Sequence, residues 1–119
     1  MRNDYKPRVY NDGVCYIVNE NKAPSSFAAK QNGTTENDFK KIVKLMFEEK
    51  EIREQDLEFA EARDRTVNRK IKTMLVKSVK AWEKVIIGTM LYDVIHADFD
   101  RANDEMYLYL EEVRELVNA

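Results

Sequence analysis

The stretch from Lys84 to Val113 constrains the fold more than any other, because apolar runs and turn signals alternate along it. Its first run is Val85 to Ile87, and a second run, Met90 to Ile95, follows after Gly88-Thr89. β-branched and aromatic residues, which favour strands, dominate both runs. Glycine adopts the positive φ that the first central position of a type II′ turn requires, so Gly88-Thr89 predicts a tight hairpin turn.

A third apolar run in the same stretch alternates with a period of two. One side of the extended chain carries Met106, Leu108 and Leu110, and the other carries Tyr107 and Tyr109. This period is typical of a strand with one buried face, and we expect the Met and Leu side chains to point inward. The polar segment that precedes the run predicts a looser turn. The whole stretch therefore predicts a three-strand meander.

Composition limits the remaining possibilities. The chain has 119 residues, which fits one domain with a single core. The formal net charge of -2 argues against a surface devoted to nucleic acid, although a local basic patch stays compatible with it. The lone cysteine, Cys15, cannot form an intrachain disulfide, and no signal peptide or long apolar span is visible. We therefore expect synthesis in a reducing cytoplasm and no membrane partner.

Turn and loop signals organise the N-terminal third of the chain. A short strand is predicted at residues 8–10, and Asn11-Asp12-Gly13 tolerates the left-handed conformations of a tight reversal. A second strand from Val14 to Val18 would complete a first hairpin. From Asn19 to Asn37 the chain is rich in small polar residues and has little to bury, so we expect a long mobile loop.

The segment after this loop carries two conflicting patterns. One is helical spacing, which links Phe39, Ile42, Val43, Met46 and Phe47. The other is the strand-like alternation of Val43, Leu45 and Phe47. Because the helical stripe ends after Phe47 in a charged stretch, we place a strand at about residues 42–49 and a short helix at about residues 54–62.

One more strand is predicted before the meander. Val67 to Val76 alternates loosely, with Ile71 and Thr73 on the side opposite Lys70 and Lys72, and residues 79–82 then lead into the meander. Taken together, these elements predict a mainly β domain with one short helix. A helix packed on a sheet, as in an α+β domain, is the alternative.

Patterns that would indicate catalysis or metal binding are incomplete. The segment from Asp98 to Asp104 is rich in carboxylates, but Ala102 stands where a calcium ligand is needed and Tyr109 replaces the closing glutamate. A solvated turn is therefore the favoured interpretation. Cys15 and His96 would form a thiolate–imidazole pair only if the fold joined them, and the apolar flank of Cys15 favours a buried residue. We predict no catalytic, cofactor-binding or metal-binding residues.

Short motifs along nearly the whole chain resemble one family. They are Tyr10-Asn11-Asp12-Gly13-Val14, Arg53-Glu54-Gln55-Asp56, Glu58-Phe59-Ala60, Lys70-Ile71-Lys72-Thr73, Tyr92-Asp93-Val94-Ile95, Asp98-Phe99-Asp100 and Met106-Tyr107-Leu108-Tyr109-Leu110. Their order and spacing resemble the head-tail joining, or head closure, proteins of phages and prophages of Gram-positive bacteria. The resemblance implies a small β-barrel that forms a ring below the portal and adaptor of a filled capsid, retains DNA and docks the tail. It also implies a virion protein without catalytic residues, and a strand at residues 42–49.

The same resemblance implies surfaces for other subunits and for partners. Tyr107 and Tyr109 are candidate anchors, because aromatic residues on a polar face suit such contacts. The alternative is a second buried face that the helix covers. The loop at residues 19–37 is a candidate for narrowing a DNA channel through steric, non-specific contact. Its candidate channel residues are Lys22, Ser25, Phe27, Lys30, Asn32 and Gly33.

Two other functions are compatible with these residues. A tail completion or terminator protein has a similar build and differs in its partners. A small nucleic-acid-binding barrel would stack bases on aromatic residues beside Lys and Arg, although the near-neutral charge argues against it. For a virion role we expect the isolated chain to be a monomer or a weak oligomer, since no long apolar patch forces association in solution.

Overall fold

A computed structural model describes residues 10–20, 38–76 and 84–117, which form six strands and one helix. Their order is β1 (Gly13–Glu20), β2 (Phe39–Lys50), α1 (Glu54–Glu61), β3 (Arg69–Met74), β4 (Lys84–Ile87), β5 (Met90–Asp100) and β6 (Glu105–Glu115). The strands close into an antiparallel barrel in the order β1-β2-β3-β6-β5-β4. The mainly β class, the barrel and the short helix are thus confirmed. No helix in these ranges is long and apolar enough to cross a membrane.

The barrel interior holds the main core, and every strand contributes to it. Its buried members are Cys15, Ile17, Leu45, Phe47, Ile71, Val85, Tyr92, Met106, Leu108 and Leu110. They come from alternate positions because successive side chains of a strand point to opposite faces. Burial of each large apolar side chain contributes about 1.5–3 kcal/mol, so this interior is the chief source of stability.

The predicted meander is confirmed as β4, β5 and β6. Gly88 has a φ of 62°, while Thr89 is not among the non-glycine residues with positive φ, which in the described ranges are Asp64 and Asp104. Positive φ at the first central position alone is the type II′ pattern that was predicted. The Met and Leu side chains of β6 point into the barrel, also as predicted.

β2 resolves the conflict between the helical and the strand-like pattern in favour of the strand. It pairs with β1 along most of its length and with β3 at its end. Val43, Leu45 and Phe47 face the barrel interior, whereas Ile42 is 43% exposed and Met46 is 61% exposed. The helical spacing arose because apolar residues occur on both faces of the strand, and pairing with neighbouring strands overrides such a local pattern.

The predicted first hairpin is wrong in the part that the structure describes. Tyr10 is not in a strand, and residues 15–18 of β1 pair with β2 on one side and with β4 on the other. Asp12 instead ties the chain to the end of β2. Its amide donates to the Phe47 carbonyl at 2.9 Å, and its carboxylate accepts from the Glu49 amide at 2.7 Å. Residues 8 and 9 lie outside the described ranges.

The predicted long loop begins too early. Asn19 and Glu20 belong to β1, where they pair with Lys40 and Phe39 of β2. The remainder of the predicted loop, residues 21–37, lies outside the described ranges, as do residues 79–82, which were predicted to lead into the meander.

Gly13 supplies a test of how closely β1 and β2 approach each other. It has a φ of 154°, and a Cβ atom added there would lie 2.9 Å from the Phe47 ring. We expect Gly13→Ala to lower the free energy of unfolding by about 1–3 kcal/mol, since Phe47 is buried and has to shift. Chemical denaturation measures this loss. Gly88→Ala is the control, because Gly88 also has positive φ but has no atom within 4 Å of the added Cβ. An equal loss for both variants would mean that the contact with Phe47 contributes nothing.

Candidate functional site

The helix α1 covers the outer face of β3, β6 and β5. A small core between helix and barrel contains Ala60, Val67 and Tyr109, with Tyr107 packed at its edge. The His96 ring of β5 lies between Phe59 and Tyr109, at centroid distances of 4.8 Å and 5.3 Å. This cover buries much of the tyrosine-bearing outer face of β6 within one chain.

The two tyrosines that were candidate anchors are therefore not equally accessible. Tyr109 is 7% exposed and belongs to the core beneath α1, which is the alternative that the sequence left open. Tyr107 is only partly buried and keeps some surface for a partner. The interface role of both residues stays a prediction, and Tyr107 is the better placed of the two.

An ion pair between Lys70 of β3 and Asp56 of α1 lies next to the two tyrosine rings. The Lys70 Nζ atom donates to the Asp56 carboxylate at 3.0 Å, and the two side chains are 6% and 7% exposed. Asp56 also accepts from the Arg53 amide at 2.9 Å, so it caps the start of the helix. Lys70 further lies over the ring of Tyr109, 5.1 Å from its centroid. The pair thus attaches the helix to the barrel.

The pKa of Asp56 reflects these contacts. Burial acts to raise the pKa of its carboxyl, but the hydrogen bonds from the Arg53 amide and from Lys70, with the nearby positive charges, outweigh burial and lower the pKa below its ordinary value. Asp56 is therefore ionised at neutral pH. Its charge is matched by Lys70, which leaves neither group free for acid–base chemistry.

An open groove of about 340 Å³ lies beside this ion pair, where β2 ends and α1 begins. It is lined by Lys50, Glu51, Arg53, Lys70, Asp98, Tyr107 and Tyr109. Cationic, anionic and aromatic groups are mixed in this lining, so the groove suits hydrogen bonding to a polar segment of a partner. None of the described residues that line it is a serine, threonine or cysteine, the hydroxyl and thiol nucleophiles of covalent catalysis.

The structure does not bring Cys15 and His96 together. Cys15 lies inside the barrel, whereas His96 lies outside it against α1. Burial raises the pKa of the Cys15 thiol to about 12, although the charge of Arg69 acts in the opposite direction. The thiolate, which is the reactive form, is therefore scarce at neutral pH.

We expect the Cys15 thiol of the folded protein to resist modification at pH 7.5. The rise in pKa from 9.0 to about 12 reduces the thiolate population by roughly a thousandfold, and burial also blocks access. Labelling with a coloured thiol reagent, with and without denaturant, measures this. Rapid labelling of native protein would show that Cys15 is accessible.

The carboxylate-rich turn between β5 and β6 is held by its own hydrogen bonds. The Asp100 carboxylate accepts from the Asn103 amide at 3.3 Å and from the Asn103 side chain at 2.9 Å. Within residues 10–20, 38–76 and 84–117, no group of three or more His, Cys, Asp or Glu side chains is arranged to hold a metal ion. This turn needs no cation to explain its residues.

Another surface lies on the outer face of β2, and its exposed apolar side chains were not predicted from the sequence. A register shift at Ile42 puts Lys41 on this face and turns Lys40 away from it. The exposed side chains of the face, which we call the β2 strip, are Lys41, Ile42, Lys44 and Met46. Tyr16 of β1 lies next to this face, with the Lys41 Nζ atom 4.3 Å from its ring centroid. The signal in the sequence was the apolar Ile42 and Met46 at positions that a half-buried strand would give to polar residues.

A second surface lies on the solvent side of α1. Its exposed side chains, which we call the α1 strip, are Glu54, Leu57, Glu58 and Glu61. Their spacing of three, four and seven residues puts them on one helix face, opposite the buried Asp56 and Ala60. The run of glutamates is visible in the sequence, but the 48% exposure of Leu57 among them is not.

The candidate channel residues Lys22, Ser25, Phe27, Lys30, Asn32 and Gly33 lie outside the described ranges. Their role stays a prediction from the sequence. Comparison with protein-family models gave no match to this chain. Comparison with curated proteins gave no match either.

Proposed function

We propose that the protein is a structural subunit of a phage head-tail connector. It assembles as a ring below the portal and adaptor, closes the DNA-filled capsid and docks the tail, and its place is therefore the virion. The observation that supports this proposal is the strand structure of β2. The local sequence pattern of this segment was compatible with a helix or a strand, whereas the resemblance to head closure proteins implied a strand in a barrel. β2 is a strand of a closed barrel.

The architecture suits a structural part of this kind. A closed barrel with side chains from every strand in its interior is a rigid unit, and rigid units keep their shape when they stack. Association then depends on side chains of the outer faces, because the inner faces are used for the core. The β2 strip, the α1 strip and the groove beside Tyr107 are the surfaces available for subunits and partners.

The proposal is tested in a phage that lacks the gene for this chain. Without the protein, we expect heads that lose DNA after packaging and that accumulate apart from free tails. Supplying the wild-type chain should restore complete particles, and mass spectrometry of purified particles should find it in them. Complete, infectious particles without the chain would overturn the proposal. The copy number of the chain in purified particles, and the proteins to which it cross-links there, would distinguish a head closure protein from a tail terminator.

The predicted channel loop has a test of its own. Replacing residues 21–36 with a short Gly-Ser linker should spare folding, because β1 and β2 keep their pairing from Gly13–Phe47 to Glu20–Phe39. Capsids that carry this variant should leak DNA or fail to join tails. If those particles stay filled and infectious, closure resides in the barrel and the loop is a tolerated insertion.

A nucleic-acid-binding barrel is the second candidate, and one observation favours it. Lys41 and Lys44 are exposed on the outer face of β2, and Tyr16 lies beside them. Basic groups next to an aromatic ring suit single strands, which bind through phosphate contacts and stacking. Titration of the protein with labelled single strands at low salt tests this. Binding that weakens steeply as salt rises would support the second candidate.

A further inference from the structure

We propose that the β2 strip of one copy binds the α1 strip of a second copy, so that the chain associates head to tail. This contact would be the subunit interface of the ring, and its biological role rests on the proposed connector function. The partner of each strip is therefore the other strip on a second copy of the chain.

Charge complementarity is the first argument. The β2 strip carries two lysines, Lys41 and Lys44, and the α1 strip carries three glutamates, Glu54, Glu58 and Glu61. Across the described ranges, Lys44 and the three glutamates take part in no ion pair. Nearby charges do form internal pairs. Glu48 pairs with Lys72 at 3.1 Å, and Glu49 pairs with Arg69 at 2.9 Å. Lys44 and the three glutamates therefore carry opposite charges that the described part of the chain leaves unmatched.

Apolar complementarity is the second argument. Each strip places exposed apolar side chains next to its charged groups: Ile42 and Met46 on β2, and Leu57 on α1. An apolar centre with a charged rim is the usual composition of a protein–protein contact. A flexible methionine also adapts to the shape of its partner. Solvation of charges alone would not account for exposed large apolar side chains in both strips.

The arrangement of the strips on the barrel is the third argument. α1 contacts β3 through Lys70, β6 through Tyr109 and β5 through His96, so it is centred near β6. In the closed strand order, β3 separates β6 from β2, and β5 lies opposite β2. The strips thus face different directions that are not opposite. A contact between two different patches repeats from copy to copy, and repeats that turn by a constant angle close into a ring.

Both strips are small, which predicts weak association of the free protein. Contacts at the low end of interface size are transient in solution. This agrees with the expectation that the isolated chain is a monomer or a weak oligomer, and it means that a portal or adaptor template would supply the missing avidity.

Disulfide cross-linking tests the contact directly. Full-length Lys44→Cys protein is mixed with Glu58→Cys protein at high micromolar concentration under mild oxidation. The native Cys15 is buried and does not compete. We expect several-fold more mixed dimer than either homodimer. Lys44→Cys mixed with Asn103→Cys is the matched control, because Asn103 lies in an exposed turn outside both strips. Equal yields of mixed dimer in the two mixtures would overturn the proposal.

Charge reversal supplies an independent test without cysteines. Sedimentation at high concentration should show several-fold weaker self-association for Lys44→Glu and for Glu58→Lys. Each variant places like charges opposite each other in the contact. Mixing the two variants should restore association, because each reversed strip then meets its complement. Circular dichroism checks that both variants are folded. Weakened association that mixing does not restore would contradict the proposed pairing.

These experiments distinguish failure of the proposed contact from failure of the proposed connector function. Selective cross-linking of a protein that is absent from virions would support the contact and count against the connector. Unselective cross-linking of a protein that is present at the head-tail junction would overturn only the contact. If Lys44→Glu instead abolishes binding of single-stranded DNA while cross-linking is unselective, the β2 strip is a nucleic-acid surface and the contact is wrong.

Discussion

Leu108→Asp is expected to unfold the protein, because it places an unpaired carboxylate inside the barrel. Leu108 is 2% exposed, and it pairs with Ile71 on β3 and with Ala97 on β5. A buried, unpaired charge costs several kcal/mol, which is comparable with the whole stability of about 5–15 kcal/mol that small domains have. Circular dichroism and calorimetry should show no cooperative thermal transition.

Met46→Asp is the matched control for this variant. It introduces the same side chain in a strand, but at a position on the outer face that is 61% exposed. Surface substitutions usually change stability by less than about 0.5 kcal/mol, so the control should melt close to the wild type. A Leu108→Asp protein that melts cooperatively near the wild-type temperature would contradict the inward orientation of β6.

Lys70→Met is expected to lower the free energy of unfolding by about 3–5 kcal/mol, since it leaves the buried Asp56 carboxylate without its partner. The Lys70 and Asp56 side chains are almost fully buried, so solvent does not screen the loss. Denaturation with urea measures the effect. The helix should also loosen from the barrel, which faster exchange of the α1 amides would report.

The double variant Lys70→Met with Asp56→Asn separates the charge from the helix cap. Asparagine keeps an oxygen that accepts from the Arg53 amide but carries no charge. The double variant should therefore be more stable than Lys70→Met alone. If both are destabilised equally, the ion pair is not the source of the loss.

The same pair predicts a dependence on pH. The pKa of Asp56 in the folded state lies below its ordinary value, so its contribution to stability is present above the ordinary pKa of about 3.9. The contribution is lost as the pH falls through the lower pKa of the folded state. The difference in unfolding free energy between wild type and Lys70→Met should consequently shrink below about pH 4. A difference that is constant from neutral pH to pH 2 would contradict this account.

Local patterns were sufficient for elements whose neighbours along the chain are also neighbours in space. β4, β5 and β6 are joined by short turns, so Gly88 and the alternation of β6 predicted both the pairing and the inward side. The helix was predictable because the charged stretch after β2 ends the strand and Asp56 caps the next turn. The Asn11-Asp12-Gly13 signal failed for the converse reason. Its strand, β1, finds partners in β2 and β4, and Asp12 bonds to β2 instead of closing a hairpin.

In the regular parts of the strands and in α1, local sequence is enough to predict which side chains share a face, because alternation and helical spacing follow from backbone geometry. The meander and the inward side chains of β6 were predictable for this reason. Which faces are covered depends on tertiary contacts. Closure of the barrel made β2 a strand, α1 buried Tyr109, and a contact across 14 residues joined Lys70 to Asp56. Whether a face is covered depends on contacts between residues far apart along the chain, and the local spacing of apolar residues does not predict such contacts.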